Sequence, residues 1–407
     1  MIVDQATRAG VRTLVSRDGT SRRVAEAFAD HRDESPLLVI DLDIVVDRWR
    51  RLADQLPGVA VAYAVRANPA PEILEVLVAL GSGFDVASPA EVDACLAAGA
   101  DPARLSYGNT VKKRSAIRHA FAKGVRTFAF DCEDELDKLI DEACGSIAVC
   151  RIRGDGSRAA RAPSRKLGCR ADRAAPLLRR AVAYGMVPAV SFHVGSQQLD
   201  AAAWDRALAS VADVRAELRA DGVELASVDL GGGLPGTYLD PAPPIEVYVG
   251  AITRAIHQRL GPEPPQDLVI VPSRYLVADA GVIRSQVVTV SRRDGAGGKR
   301  WVHLDVGFLS GLPEALDEAV RYRIVADGPP GRPNGPVAIA GPTCDSLDIA
   351  CEWAPYLLPL DLASEDHVHL MSTGAYTPTC GSLGFTGSDP MSMVVLPPSD
   401  GEVWSPG

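Results

Sequence analysis

Three consecutive glycines, Gly231, Gly232 and Gly233, follow the run SVDL. Glycines at such a point let backbone N–H groups close on an anion, a phosphate cradle built without side chains. A tight strand-to-loop turn is the plainer reading. Arg274 stands at the end of the next β-rich run and could bring countercharge to the same phosphate, so the two together favour the phosphate site. His193 ends AVSFHV and precedes GSQ. A flat imidazole there could stack on an aromatic ligand, with Ser196 donating a hydrogen bond; a core histidine satisfied by backbone is the alternative. Asp85, between Phe84 and Val86, reads as a buried, paired carboxylate or a loop cap. Tyr376 in GAYT could extend its hydroxyl to a phosphate or sit in an exposed loop. Cys344 lies beside Asp345 in GPTCDSLD, with no adjacent base to activate the thiol.

These residues need elements to hold them. Short β-rich runs recur at 59–63, 83–87, 104–108, 127–131, 147–153, 189–194, 226–232 and 267–271, most separated by helical patterns. Ser88, Pro89 and Glu91 spell a capping box, and Asp131 and Asp200 read as further N-caps. A (β/α)8 TIM-like barrel fits this rhythm, because parallel strands need helical crossovers; a doubly wound open sheet gives similar alternation. In a barrel, chemistry belongs at the C-terminal strand ends, where Arg66, Asp85, Asn109, Arg151, His193, the glycine triplet and Arg274 fall. Beyond Gly281 the pattern becomes β-rich runs and Gly/Pro loops, with one helical exception at 312–322. The expected organisation is an N-terminal segment (1–35, with a strand at 11–15 and a helix at 22–29) packing with a β domain, a barrel (36–281) and a mostly β C-terminal domain (282–407).

Composition narrows the class. With 407 residues, 47% apolar and 23% charged, the chain reads as an ordinary globular protein. A net charge of −10 disfavours nucleic acid and anionic membranes as partners. No secretory h-region and no apolar run long enough to span a bilayer is present, which points to the cytoplasm. The eight cysteines show no metal-like spacing, and no metal is expected.

Taken in order, YAVRANP, FDVASPAEV, YGNTVKK, FAFDCEDEL, SRKLG, SFHVGSQ, DLGGGLPG, VPSRYLVADAG, LDVGFLSGL, GPTCDSLD and STGAYT resemble the alanine-racemase-like (fold type III) decarboxylases of ornithine, lysine, arginine and diaminopimelate. The bacterial ornithine/lysine branch looks closest, over residues 36–390. The resemblance implies pyridoxal phosphate (PLP), its phosphate held by Gly231, Gly232, Gly233, Arg274 and Tyr376, with His193 stacked on the ring and Asp85, Arg151 and Ser196 around it. It implies a homodimer with shared sites, in which the partner's GPTCD loop supplies the proton donor equivalent to Cys344 and a contact equivalent to Asp345 for the substrate's distal amine. Asp317 falls where ornithine-type members carry another acid for that amine.

Two departures fall on consequential positions. The family's YAVKANP supplies a lysine for the internal aldimine, and here the residue is Arg66. A guanidinium is delocalised and always protonated, so it cannot serve as that amine. The family's EPGR supplies a glutamate for the pyridinium nitrogen; here Val271, Pro272, Ser273 and Arg274 stand instead. PLP is therefore not expected as an aldimine at position 66. The resulting expectation is a diverged enzyme acting on an amino acid or derivative, with Arg66 and Cys344 as the residues nearest its chemistry. An inactive regulatory or partner homologue is one alternative, and an ordinary ornithine/lysine decarboxylase carrying an introduced Lys→Arg change is another. Lys112, Lys113 and Lys166 are poor surrogates, since another strand end approaches the aldehyde from another direction.

Overall fold

A computed structural model describes residues 21–399, apart from 155, 162–165, 294, 296, 330, 383 and 388. The strand expected at 11–15 lies outside the described residues. Eight parallel strands close into a barrel: Val59–Ala64, Gly83–Val86, Leu105–Tyr107, Thr127–Phe130, Ile147–Arg151, Val187–Ser191, Ser227–Asp229 and Asp267–Ile270. Closure pairs Leu268 with Val59, and each strand hydrogen-bonds its sequence neighbour. Helices cross back on the outside, from Pro71–Ala79 to Ile245–Leu260, and Leu42–Gln55 packs at the seam against Pro71–Ala79 and Ser273–Val277.

The period-2 alternation sorts each strand's side chains into two environments. Outward positions such as Tyr63, Phe84, Phe128 and Phe130 are fully buried under the helices. Inward positions are small and apolar: Ala62 and Ala64 pack with Val271, and Ala129 and Val149 with Ala189. Small inward residues keep the barrel axis narrow and leave room for polar groups only at its mouth.

The second body is an eight-stranded sheet. Its centre, Gly281–Arg292, pairs antiparallel with Arg300–Leu304 and His367–Met371. Leu37–Asp41 also joins it, antiparallel to Gly281–Arg292 and parallel to Ser392–Leu396, so the barrel proper begins at Val59 rather than at residue 36. Helix Arg22–Asp30 packs Val24, Ala27 and Phe28 on the same sheet against Leu37, Val39 and Val282. Among the described residues no helix is long and apolar enough to cross a membrane.

Several local expectations change. The helix expected at 312–322 is a short 3-10 stretch, Pro313–Glu318, broken by extended backbone at Leu316 and by φ of 55° at Asp317. Glu318 explains the break: its carboxylate accepts the backbone N–H groups of Glu352 and Ala354 at 2.8 Å and of Trp353 at 2.5 Å, a stronger pull than one more helical turn. Asp131 caps no helix; it accepts from Thr110 Oγ1 at 2.8 Å and Gly168 N–H at 2.7 Å, and Cys132 precedes the helix without a side-chain bond. Asp200 bonds Ala202 N–H, one position before helix Ala203–Arg219. Ser88 does cap Glu91 N–H at 3.2 Å, while the Glu91 carboxylate reaches past it to Ala87 N–H at 2.7 Å.

Candidate functional site

The C-terminal strand ends surround a cavity of about 70 Å³. Arg66, Asp85, Arg151, His193, Ser196, Gly231, Gly232, Gly233, Arg274 and Tyr376 all line it. Asn109 does not; its side chain accepts Val111 N–H at 3.2 Å, turning the loop. A larger groove, about 1230 Å³, runs along helix Leu42–Gln55 outside the barrel and includes none of the expected site residues.

Arg66 enters from a single 3-10 turn, Val65–Ala67, directly after the first barrel strand. That strand end is fixed from two sides. Ala64 N–H donates to Ser273 Oγ at 2.6 Å, and the Ala67 carbonyl accepts Tyr376 N–H at 2.7 Å. The Arg66 guanidinium donates from Nη1 to Asp85 Oδ2 at 2.7 Å, with its side chain 45% exposed and that of Asp85 only 11%. Burial works against the Arg66 cation, but the Asp85 charge overrides it and holds the pKa above its ordinary value. Gly108 makes room for this pair, since a Cβ there would lie 1.8 Å from Asp85 Oδ1.

The glycine triplet forms the opposite wall, with φ of 65° at Gly231 and 134° at Gly233. Its N–H groups are not all free: Gly231 N–H donates to Asp229 Oδ1 at 2.8 Å. Asp229 was not legible as a site residue, although it directly precedes the triplet's leucine. Burial and the Asp85 charge lift it to about 7, so it is partly protonated near neutrality. His193 Nδ1 lies 2.8 Å from the Gly232 carbonyl, which fixes Nδ1 as the protonated nitrogen. Burial and the Arg151 charge lower its pKa to about 4, leaving a neutral, flat ring at pH 7.

Arg274 is buried and fully engaged. It donates to Tyr238 Oη at 2.7 Å, to Ser196 Oγ at 2.9 Å and to Glu314 Oε1 at 2.5 Å, and its guanidinium lies 4.9 Å from the Tyr376 ring centroid. Glu314 and Tyr238 were also missed by sequence reasoning. Glu314 falls in the segment expected to be a regular helix, which hides the direction its carboxylate takes. Three guanidiniums, on Arg66, Arg151 and Arg274, thus face Asp85, Glu314 and a part-protonated Asp229. The site keeps positive charge in excess, which suits an anion.

Three expected residues lie apart from this cavity in the single chain. Cys344 is exposed, and Asp345 accepts Leu347 N–H at 2.8 Å in a turn. The loop carrying them is folded around Asp348, whose carboxylate takes Thr343 N–H and Oγ1 and fills the space where side chains at Gly307 and Gly341 would stand. Asp317 is exposed. Among the described residues no lysine lines the cavity. Lys112 is buried in an ion pair with Glu135 at 2.8 Å, while Lys113 and Lys166 are exposed.

Comparison with known proteins places this geometry. The family described as "Pyridoxal-dependent decarboxylase, pyridoxal binding domain" matches residues 42–278. A lysine/ornithine decarboxylase of Selenomonas ruminantium is 31% identical over 348 residues, 85% of this chain and 86% of the relative. Antizyme inhibitor 2 of Xenopus laevis is 31% identical over 357 residues, 85% of this chain and 77% of that protein. The structure of a Vibrio vulnificus lysine/ornithine decarboxylase complexed with cadaverine superposes with a TM-score of 0.81 at 26% identity, covering 92% of this chain and 99% of the other.

Proposed function

We propose that this chain, which belongs to the pyridoxal-dependent decarboxylase family, is a diverged member that holds an amino-acid-like or phosphate-bearing anion without a covalent bond. The observation that carries this reading is the Arg66–Asp85 ion pair at 2.7 Å, standing at the strand end where the family's lysine motif falls. PLP is the family's cofactor, and its chemistry requires a phosphate cradle, a flat neighbour for the ring, an acid at the ring nitrogen and an amine for the aldehyde. The glycine triplet, Ser196 and Arg274 suit the phosphate, and neutral His193 suits the ring. The amine and the acid are missing: residue 66 is arginine, and Val271 packs with Ala62 and Ala64. Covalently attached PLP does not fit these residues, and standard decarboxylation is not the activity proposed.

What remains is recognition. Arg66 and Arg151 present guanidinium donors able to bind a carboxylate as a fork. The cavity of about 70 Å³ is far below the ~300 Å³ of an ordinary ligand pocket, so a ligand must displace internal partners, with the Arg274–Glu314 pair the first candidate. The resemblance also supports a cytoplasmic homodimer in which the partner's GPTCD loop completes the site; Cys344 is exposed on that loop.

A second reading, a non-catalytic partner subunit, draws on one structural feature and one relative. Trp353 is 82% exposed on the edge strand Ile349–Pro359, which also exposes Leu357, and antizyme inhibitor 2 is among the relatives. The discriminating experiment is titration of the purified protein with PLP and with pyridoxamine phosphate, followed by borohydride reduction and peptide mapping. Reversible binding of both without a reduced adduct in the pocket is expected. A pocket adduct together with diamine release from ornithine or lysine would overturn the proposal, and absence of binding by either ligand would favour the partner-subunit reading.

A further inference from the structure

We propose that Cys150 and Cys169 are a dithiol that closes to a disulfide where Gly168 and Cys169 meet Arg151 to Arg153, a modification site beside the pocket and independent of the reading above. Cys150, in strand Ile147–Arg151, is fully buried; Cys169 is partly exposed, and their Sγ atoms stand 3.7 Å apart. Cys169 forms a parallel bridge with Ile152, its N–H donating to the Arg151 carbonyl at 3.0 Å and its carbonyl accepting Arg153 N–H at 2.9 Å. Residues two apart on a strand share a face, so Cys150 points the same way as Ile152 and the bridged Cys169 turns its thiol toward it. Val149 and Arg151, the alternate residues, line the cavity, which puts the thiol pair on the outer side of the strand.

This junction is already held on both flanks. Gly168 N–H donates to Asp131 Oδ2 at 2.7 Å, and Arg153 Nη2 donates to the Gly168 carbonyl at 3.1 Å. Bond formation requires the sulfurs to close from 3.7 Å to a separation of about 2.05 Å. The order of reaction follows from the environment. The contact with Cys150 holds the Cys169 thiol below its ordinary pKa, while the same contact and burial raise Cys150. The Cys169 thiolate attacks one sulfur of a small disulfide such as oxidised glutathione and expels a thiolate. Cys150 then attacks the Cys169 sulfur of the mixed disulfide and expels the second; the two departing thiolates take up the two cysteine protons. Two protein thiols are oxidised and one external disulfide is reduced.

Between these two cysteines in sequence lies strand Ala159–Arg161, which pairs with Ser196–Gln198, and Ser196 holds Arg274. Oxidation therefore restrains a wall of the cavity. The test equilibrates the full-length protein in glutathione redox buffers, blocks free thiols and maps non-reduced tryptic peptides. A linked Cys150–Cys169 peptide is expected, with a thermal midpoint a few degrees above the reduced protein, and both effects are expected to vanish in Cys169→Ser. Cys169 is partly exposed, so that variant should fold; Cys150→Ala is the second check. Oxidation confined to the exposed Cys132, Cys144, Cys344 and Cys380, or an unchanged midpoint shift in Cys169→Ser, would overturn the proposal.

Discussion

Position 66 carries a guanidinium where the family resemblance places a lysine, and on the proposed reading the consequences can be measured one side chain at a time. Arg66→Lys restores an amine at the strand end, so borohydride should trap PLP on residue 66 of the variant and not of the parent. Diamine release should nonetheless stay well below that of a standard decarboxylase, because Val271 offers the ring nitrogen no acid; adding Val271→Glu should raise it by ten-fold or more. Arg66→Ala leaves the Asp85 carboxylate without its partner, and since Arg66 is 45% exposed the loss should be only about 1 kcal/mol in denaturant unfolding. Asp229 supplies a pH test. Its folded pKa of about 7 lies above the ~3.9 of an unfolded aspartate, so the native state keeps a proton the unfolded chain has released. The associated stability is present at low pH and is lost as pH rises through that window. Asp229→Asn keeps an acceptor for Gly231 N–H, so its stability relative to the parent should improve from about pH 4 to about pH 7. His193, lowered to about 4, shifts the other way and cancels in that difference between variant and parent.

The elements most open to misreading are those whose shape depends on a distant carboxylate. Residues 312–322 carry a helical spacing, yet Glu318 trades the helix for three backbone N–H groups on the edge strand. Glu318→Ala should cost about 1 kcal/mol, since the freed donors flank the exposed Trp353 and reach water. Hydrogen exchange at Glu352, Trp353 and Ala354 should accelerate, while barrel amides stay protected. The strand Ile349–Pro359 escapes recognition for a related reason: its prolines argue against a strand, but it lies at the sheet edge with Asn334–Ala340 as its strand partner, where missing donors cost little. The eight barrel runs were legible because β-rich segments and helical crossovers leave distinct periodicities, and each appears within a few residues of its expected place.

At the scale of the molecule, one strand of the β domain precedes the barrel in sequence, and the STGAYT loop returns from that domain to the barrel mouth. Gly374 permits the return, since a Cβ there would meet the Val277 carbonyl at 1.9 Å, and Tyr376 N–H then reaches Ala67. The exposed Trp353 is expected to bury against a second chain, either a copy of this one or, on the partner-subunit reading, a homologue. Sedimentation should find a two-chain particle, and Trp353→Glu should shift it toward monomer without changing the far-ultraviolet circular dichroism.

Read alone, the sequence favours a barrel over a doubly wound sheet, followed by a β domain, and brings out most of the strand-end residues, because hydrophobic periodicity and glycine placement are local properties. It also determined that residue 66 carries no usable amine, since that follows from the chemistry of a guanidinium. Where the charges go depends on contacts between residues distant in the chain. Arg66 meets Asp85 across two strand ends, Arg274 meets Glu314 from the other domain, and Asp229 is lifted toward neutrality by burial beside Asp85. Those pairings join residues far apart in the chain, and their strength depends on distance and desolvation, which no local spacing encodes.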